Sequence, residues 1–325
     1  MPWIEELSDN PEEIYVVSNV GLSFGDYLIL TPVFDALRDR YPNANIFFCT
    51  ELDEEVNILA GNQDITSISS FAQFLDIYKK YDQNIFASSF DGVYQIPSII
   101  ADEAFRYKNA YKVYCEDLGI EPTSYLPKYF PSDKEREYAH DILEKNNIDI
   151  DTDKIIVIQT EASSPMRNWH YDYTYELAEM LSKDYKVVLL GAYYELLKER
   201  TADNNNITCF IKDISFRQAC AVVDFASLVV GPDSVFIHVA GALNKKALAL
   251  MSSFPGYARY DLMPTVKVLQ KKYHCAPCFL HSVDYCGEGN KFGLKPDEKG
   301  NYISMPCMLS IKPNEVYEEA MKILV

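Results

Sequence analysis

The stretch IYVVSNVGLSFGDYLILTPVFDALRDRYPNANIFFCT, residues 14–50, decides the fold class. IYVVS (14–18) is short, apolar and β-branched, as a buried strand is, and the glycine loop NVGLSFGD ends it. YLILTPVFDALRDRYP then sets Leu30, Val33, Phe34 and Leu37 at helical spacing, and Tyr41-Pro42 stops the helix. IFFCT (46–50) returns as a second strand. Strand, helix and strand in so short a stretch form the minimal right-handed βαβ crossover.

Weaker strands are expected at ITSIS (65–69) and GVYQI (92–96). The polar run PSDKEREYAHDILEKNNIDIDTDK (131–154) predicts a helix and then an Asn/Asp-rich connection, which puts a boundary between a first domain, 1–150, and a second, 151–325. The alternation then restarts. IIVIQ (155–159), KVVLLG (186–191), ITCFI (207–211), SLVVG (227–231) and KALALM (246–251) predict strands, with helices at YELAEMLS (175–182) and SFRQACAVVDFA (215–226) and another from Val235 to Leu243. EVYEEAMKILV, after Lys312-Pro313-Asn314, predicts a terminal amphipathic helix. Two sets of alternating units predict an α/β chain of two Rossmann-like doubly wound parallel sheets facing each other across a cleft.

With 48% apolar residues in 325, the chain can build two cores. The start MPWIEELSDN carries no basic-then-apolar leader, and no apolar run reaches the roughly 20 residues of a membrane helix, so a soluble cytoplasmic protein is expected. The formal net charge is -18. Residues 1–150 hold 11 Lys and Arg against 27 Asp and Glu, and the remainder 19 against 21. So acidic a first half disfavours a bulk electrostatic grip on nucleic acid or anionic lipid. Eight cysteines in a chain of this length do not make a small disulfide scaffold, and most are expected to be reduced.

In open parallel sheets ligands bind beyond the carboxyl ends of the strands, which directs attention to three loops. In GLSFGDYLILTP, Gly21 and Gly25 permit close approach, and Asp26 at the helix start is either a cap for free amides or a general base. In TEASSPMRNWHYDYTYELAEM, the hydroxyls of Thr160, Ser163 and Ser164 precede Arg167 and Trp169. Arg167 is either a phosphate partner or a surface ion pair, and Trp169 pins the loop to the core. In GPDSVFIHVAGAL (231–243), Asp233 and Ser234 form an N-cap pair for a helix whose start is an anion site, and His238 either reaches back to a phosphate or ribose or is a hydrogen-bonded core residue.

A fourth constellation is Cys275-x2-Cys278 with Cys286 and Cys307, near His274 and His281. It is either a tetrahedral structural zinc site or a set of reduced or disulfide-linked thiols on a long loop.

With these segments in view, the chain resembles glycosyltransferase family 9, the ADP-heptose:lipopolysaccharide heptosyltransferases. GLSFGDYLILTPVFDALRDRYPNANI resembles the family's Gly-Asp, Thr-Pro and helix pattern, and MRNWHYDYTYELAEML its basic-x-Trp segment. VVLLGAYYE is similar to its strand, Gly and Glu, GPDSVFIHVAGALNKKALAL to its Asp-(Thr/Ser)-Gly-x-x-His signature, and CAPCF through CMLSIKPNEV to the cysteine-bearing tail of some members. The family usually has Lys at 167, Gly at 235 and Pro after the tryptophan, where this chain has Arg167, Val235 and His170.

The resemblance implies a GT-B fold with an acceptor-binding first domain and a nucleotide-sugar-binding second domain. It implies inverting transfer from a nucleotide-diphosphate sugar to a glycan or other hydroxyl acceptor, with no metal required for catalysis. Asp26 takes the place of the base, with Gly25 and Thr31 on the acceptor side. Thr160, Ser163 and Arg167 fall on the donor side, Glu195 at the nucleoside, and Asp233, Ser234, Val235 and His238 in the donor-phosphate loop. Other readings are transfer to a hydroxylated nucleobase, a nucleotide-sugar epimerase, or a non-catalytic nucleotide-sugar-binding protein.

Overall fold

Strand β1 (Glu13–Val17) is buried from Ile14 onward and lies inside the first sheet, between two parallel neighbours. The computed structural model describes residues 11–18, 22–51, 54–79, 93–95, 106–117, 119–280, 286 and 304–325. Gly21, His281 and the first ten residues lie outside them, as do the ends of the expected strand 92–96. The chain divides into two units, Met1–Phe130 and Pro131–Val325.

In the first unit β1 pairs in parallel with β2 (Asn45–Thr50) and β4 (Val93–Gln95), and β2 with β3 (Ser67–Ser70), in the order β3-β2-β1-β4. Helix α1 (Phe24–Arg40) makes the crossover from β1 to β2; α2 (Phe71–Lys79) and α3 (Ala110–Asp117) follow. Tyr27 through Leu37 of α1 are all buried, so the apolar spacing at Leu30, Val33, Phe34 and Leu37 marks a helix enclosed well beyond one stripe.

Pro32 sits inside α1, where it has no N–H for the carbonyl of Leu28. Thr31 repairs the break. Its hydroxyl, fully buried, donates to that carbonyl at 2.7 Å and accepts the Lys128 N–H at 2.8 Å. The Lys128 ammonium in turn pairs with Asp35 on α1 and, at 3.0 Å, with Asp64. Thr31 is thus a brace inside the first unit, and its hydroxyl is not presented to an acceptor as the resemblance implied.

The second unit begins with α4 (Asp133–Lys145) and the fully buried strand β5 (Ile155–Gln159). Next come α5 (Tyr171–Leu181), β6 (Lys186–Gly191), α6 (Leu196–Thr201), β7 (Ile207–Ile211), α7 (Phe216–Asp224), β8 (Leu228–Pro232), α8 (Val235–Ala242), β9 (Ala247–Met251) and β10 (Val266–Gln270). α9 (Pro306–Leu309) and α10 (Pro313–Leu324) close the chain. The six strands are parallel in the order β10-β9-β8-β5-β6-β7. This is the doubly wound order, with its switch point between β5 and β8.

The polar helix expected at the domain boundary belongs to the second unit. Glu135 of α4 takes a two-pronged contact from Arg217 of α7, 2.8 Å at its second pair, and Arg136 reaches Asp224 at 2.9 Å. The division therefore falls at 130/131, ahead of α4, rather than at 150/151. Among the described residues no helix is long and apolar enough to cross a membrane.

Thr31→Val keeps the shape of the side chain and removes the hydroxyl, stranding the Leu28 carbonyl and the Lys128 N–H in the core. A loss of about 1–3 kcal/mol is expected from such buried unsatisfied groups, read in urea as a lower midpoint at unchanged slope.

Candidate functional site

Three neighbouring strands of the second sheet, β5, β8 and β9, send their carboxyl ends into loops that carry charge. Gln159, the last residue of β5, joins the first two. Its buried side-chain amide donates to Ser234 Oγ at 2.8 Å and to the Glu161 carbonyl at 2.9 Å, and its carbonyl oxygen accepts the Phe236 N–H at 3.2 Å. Gln159 thus satisfies an orphan amide at the start of α8. The cap comes from a neighbouring strand and not from the Asp233-Ser234 pair, because Ser234 makes no side-chain cap bond.

Asp233 is buried for a different purpose. Its Oδ1 accepts the Tyr260 hydroxyl at 2.7 Å, and its Oδ2 lies 3.4 Å from Arg167 Nη1. The same Nη1 donates to the Asp233 carbonyl at 2.7 Å, while Nη2 donates to Ser163 Oγ at 2.9 Å. Burial works to raise the carboxyl's pKa. The charges of Arg167, Arg259 and His238 and the Tyr260 bond outweigh it and hold Asp233 below the usual range. An ionised Asp233 is a fixed counter-charge that aims Arg167. Arg167 is therefore mostly buried and held from three sides, not a surface ion pair, and its Nε is buried without a partner among the described residues.

His238, 3% exposed, stacks at an angle on Tyr260 with ring centroids 4.9 Å apart, and its Nε2 is 3.4 Å from the Tyr260 oxygen. The core-histidine alternative describes this placement. Tyr260 and Arg259 come from the third loop, after β9, which the sequence reading passed over. Arg259 is 5% exposed, with its guanidinium 4.7 Å from the Phe254 ring centroid. The signal was present in SSFPGYARY (252–260): a Pro-Gly turn after a buried strand, ending in Arg and Tyr.

Thr160 departs from its expected place. It is fully buried, and its one hydroxyl proton is shared between the Glu161 carboxylate and, at 3.2 Å, the Leu190 carbonyl, inside the sheet edge. Glu161, also unforeseen, accepts in addition the amides of Ala192 and Tyr193 beyond β6. Gly191 leaves no room for a Cβ against Thr160 and Glu161. Together they fix the β6 loop that carries Glu195, whose exposed carboxylate pairs with Lys212 at 3.0 Å. Trp169 does pin its loop, donating from Nε1 to the Ile311 carbonyl at 2.9 Å.

In the first unit Asp26 stands at the third position of α1. Its Oδ2 accepts the Ser23 N–H at 3.1 Å and the Ser23 hydroxyl at 2.8 Å, and its Oδ1 takes no hydrogen bond among the described residues. Gly25 precedes it in the first turn.

Three of the four cysteines gather, and Cys275 is exposed. Cys286 and Cys307 are buried with Met166 and Met305, and the half-buried Cys278 packs on them. Burial, with the nearby charges of Cys278, Cys275 and Cys286, pushes the Cys307 thiol up to about 11. Among the described residues the set of three His, Cys, Asp or Glu ligand atoms within 4.8 Å of one another is His140, Asp141 and Glu144 on α4. The sulfurs are thus neighbours without forming a closed shell. Met166 links them to the β5 loop, one residue before Arg167, and its carbonyl accepts Ser252 Oγ at 3.3 Å.

The sequence model of glycosyltransferase family 9 (heptosyltransferase) matches residues 108–284, more than half of the chain. The chain belongs to this family. Being a family 9 protein, it is a glycosyltransferase, and both units have the Rossmann-like form of the GT-B fold. A family 9 glycosyltransferase of Veillonella parvula is similar in fold at TM-score 0.70 and 14% identity, covering 98% of this chain and 99% of that one. ADP-heptose lps heptosyltransferase II of E. coli follows at 0.64 and 17%, covering 96% and 98%. The dodecameric iron-containing heptosyltransferase TibC, solved with ADP-D-β-D-heptose, gives 0.62 and 12%, covering 99% of this chain and 79% of its own. No curated protein matches the chain.

In this glycosyltransferase, burial above all, reinforced by Arg259 and Arg167, outweighs Asp233 and brings the His238 imidazole down to about 4. The folded value lies below the unfolded one of about 6.5. The neutral form is therefore the stable one, and stability is lost as pH falls from about 6.5 toward 4. By pH 5 that loss is about 2 kcal/mol. Melting curves at pH 7 and pH 5 should show a smaller drop for His238→Gln than for the wild type; equal drops would remove His238 from the account.

Proposed function

We propose that this glycosyltransferase transfers a sugar from a nucleotide-diphosphate sugar to a hydroxyl acceptor with inversion, using Asp26 as general base. The observation that carries the reading is the charge at the β5/β8 switch point. Arg167, aimed by Asp233, lies beside the start of α8, where amides and dipole favour an anion. Ser234 and Val235 supply that start, and Glu195 stands on the next loop for the nucleoside. The second unit then takes the donor and the first the acceptor, beside Gly25.

The acceptor oxygen attacks the anomeric carbon, the bond from that carbon to the diphosphate oxygen breaks, and its electron pair leaves with the nucleotide. The acceptor proton passes to Asp26. Ser23 holds Oδ2 and leaves Oδ1 for the proton, so capping the helix and acting as a base are compatible. The permanent charge of Arg167 and the helix dipole stabilise the leaving group, a task that then needs no metal ion.

ADP is the first probe, because it is the nucleotide of the donor bound to TibC. A thermal-shift screen of nucleotide diphosphates should show a stabilising ligand, by about 2.7 kcal/mol at a hundredfold excess over Kd. With the donor so found, Asp26→Asn should lower kcat about 10²- to 10⁴-fold at unchanged donor affinity. Near-normal turnover would overturn the role.

The four cysteines are read as a structural zinc set. Cys278, Cys286 and Cys307 share one cluster of soft donors, which together with Cys275 would hold such an ion as thiolates once the open shell closes; burial and the neighbouring thiols otherwise keep Cys307 protonated. Elemental analysis of the purified protein should find one metal ion per chain, lost in a Cys278→Ser/Cys307→Ser variant. Zinc supports this reading. Iron, as in TibC, would keep the site and change its metal, and no metal would reject it.

A further inference from the structure

We infer that Arg259 is a second cation of the diphosphate site, working with Arg167 on the phosphate that leaves with the nucleotide. This rests on the reading of the second unit as the donor site and adds a residue from a loop that the resemblance did not single out.

Arg259 ends the turn after β9, the strand next to β8. It is 5% exposed, yet among the described residues its guanidinium has one protein acceptor, the carbonyl of Ala258 at 3.4 Å, besides the Phe254 ring. Asp233 is near enough to feel its charge, but the two make no ion pair within 4.0 Å among the described residues. The reason is geometric: Tyr260 occupies one Asp233 oxygen and Arg167 faces the other. Two buried guanidinia thus share a single carboxylate. His238 adds no positive charge at neutral pH, and the cluster keeps one uncompensated cation. Arg167 Nε, buried and without a partner among the described residues, is a further unmet donor.

A buried charge without a partner is costly, and an anion with several acceptor oxygens removes that cost. A diphosphate fits better than a single carboxylate, because it offers oxygens to both guanidinia and to the amides of α8. As the sugar–oxygen bond breaks, negative charge grows on the departing phosphate, and a permanent cation there favours departure.

Isothermal titration with ADP, UDP, pyrophosphate and adenosine on the wild type, Arg259→Gln and Arg259→Met tests this. Both variants should bind ADP and pyrophosphate about 10- to 100-fold more weakly, as for loss of a charged hydrogen bond, and adenosine unchanged. Without ligand, Arg259→Met should melt no lower than the wild type, because it removes an uncompensated charge. A variant that binds ADP as tightly as the wild type, weakens ADP and adenosine equally, or fails to fold overturns the inference and makes Arg259 structural. A wild type that binds neither ADP, UDP nor pyrophosphate overturns the donor-site reading itself, and the inference with it.

Discussion

The charged loops at the β5/β8 switch point depend on a carboxylate buried where a carboxylate is expensive to keep. Asp233 is 2% exposed and ionised, and it stays so because Tyr260 donates to one oxygen and Arg167 faces the other. The compensation runs both ways: Arg167 could not lie mostly buried without Asp233, and Tyr260 would carry a buried hydroxyl with no charged acceptor. Removing Asp233 would leave a buried guanidinium unpaired, which costs more than the pair contributes. A negative side chain beside a helix start is paradoxical only if it points at the anion that such a start favours. Here it faces Tyr260 and Arg167 and fixes the guanidinium.

The sheet explains why these groups meet. In the order β10-β9-β8-β5-β6-β7, β5 and β8 are adjacent although far apart in sequence, and their following loops diverge to opposite sides of the sheet. Gln159 closes that divergence at its base with three hydrogen bonds to the β5 loop, Ser234 and α8. Glu161 does the same toward the β6 loop. Both are polar side chains at the end of an apolar strand, each worth about 1 kcal/mol per net hydrogen bond. Their larger effect is on position: three loops borrow the rigidity of the sheet.

The pattern of apolar runs made the sheet legible. IIVIQ, KVVLLG, SLVVG and KALALM fall within a residue of β5, β6, β8 and β9 because central parallel strands are buried on both faces and leave unbroken apolar runs, and ITCFI marks the edge strand β7 because it stays apolar at four of five positions. β10 was invisible for the opposite reason: as an edge strand it exposes Lys267 and Val268, and its run is diluted. Among site residues, Arg167 and Asp233 announced themselves as charges at strand ends. Thr160 and Thr31 did not show that their hydroxyls were already committed inside, since hydroxyls look alike in sequence whether they face a ligand or a carbonyl. Arg259 and Tyr260 were missed although Pro255-Gly256 marks their turn, because Asp233, which accepts the Tyr260 hydroxyl, lies 27 residues away along the chain.

The departures from the family pattern fall where side chains replace one another's physics around the loops after β5 and β8. His170, in place of proline after Trp169, caps α5 by accepting the Asp172 N–H on Nδ1 at 3.1 Å, so the helix start is still defined. Arg167, in place of lysine, binds Ser163 and the Asp233 carbonyl at once through different nitrogens, a fork that a single ammonium on a flexible stem would hold less rigidly. Val235, in place of glycine, keeps the amide of the first turn of α8 but adds bulk beside it. Charge and amides are thus retained while the space around them shrinks. Under the proposed function, a site altered in this way would still attract a diphosphate and would be more selective about the shape of what the diphosphate carries.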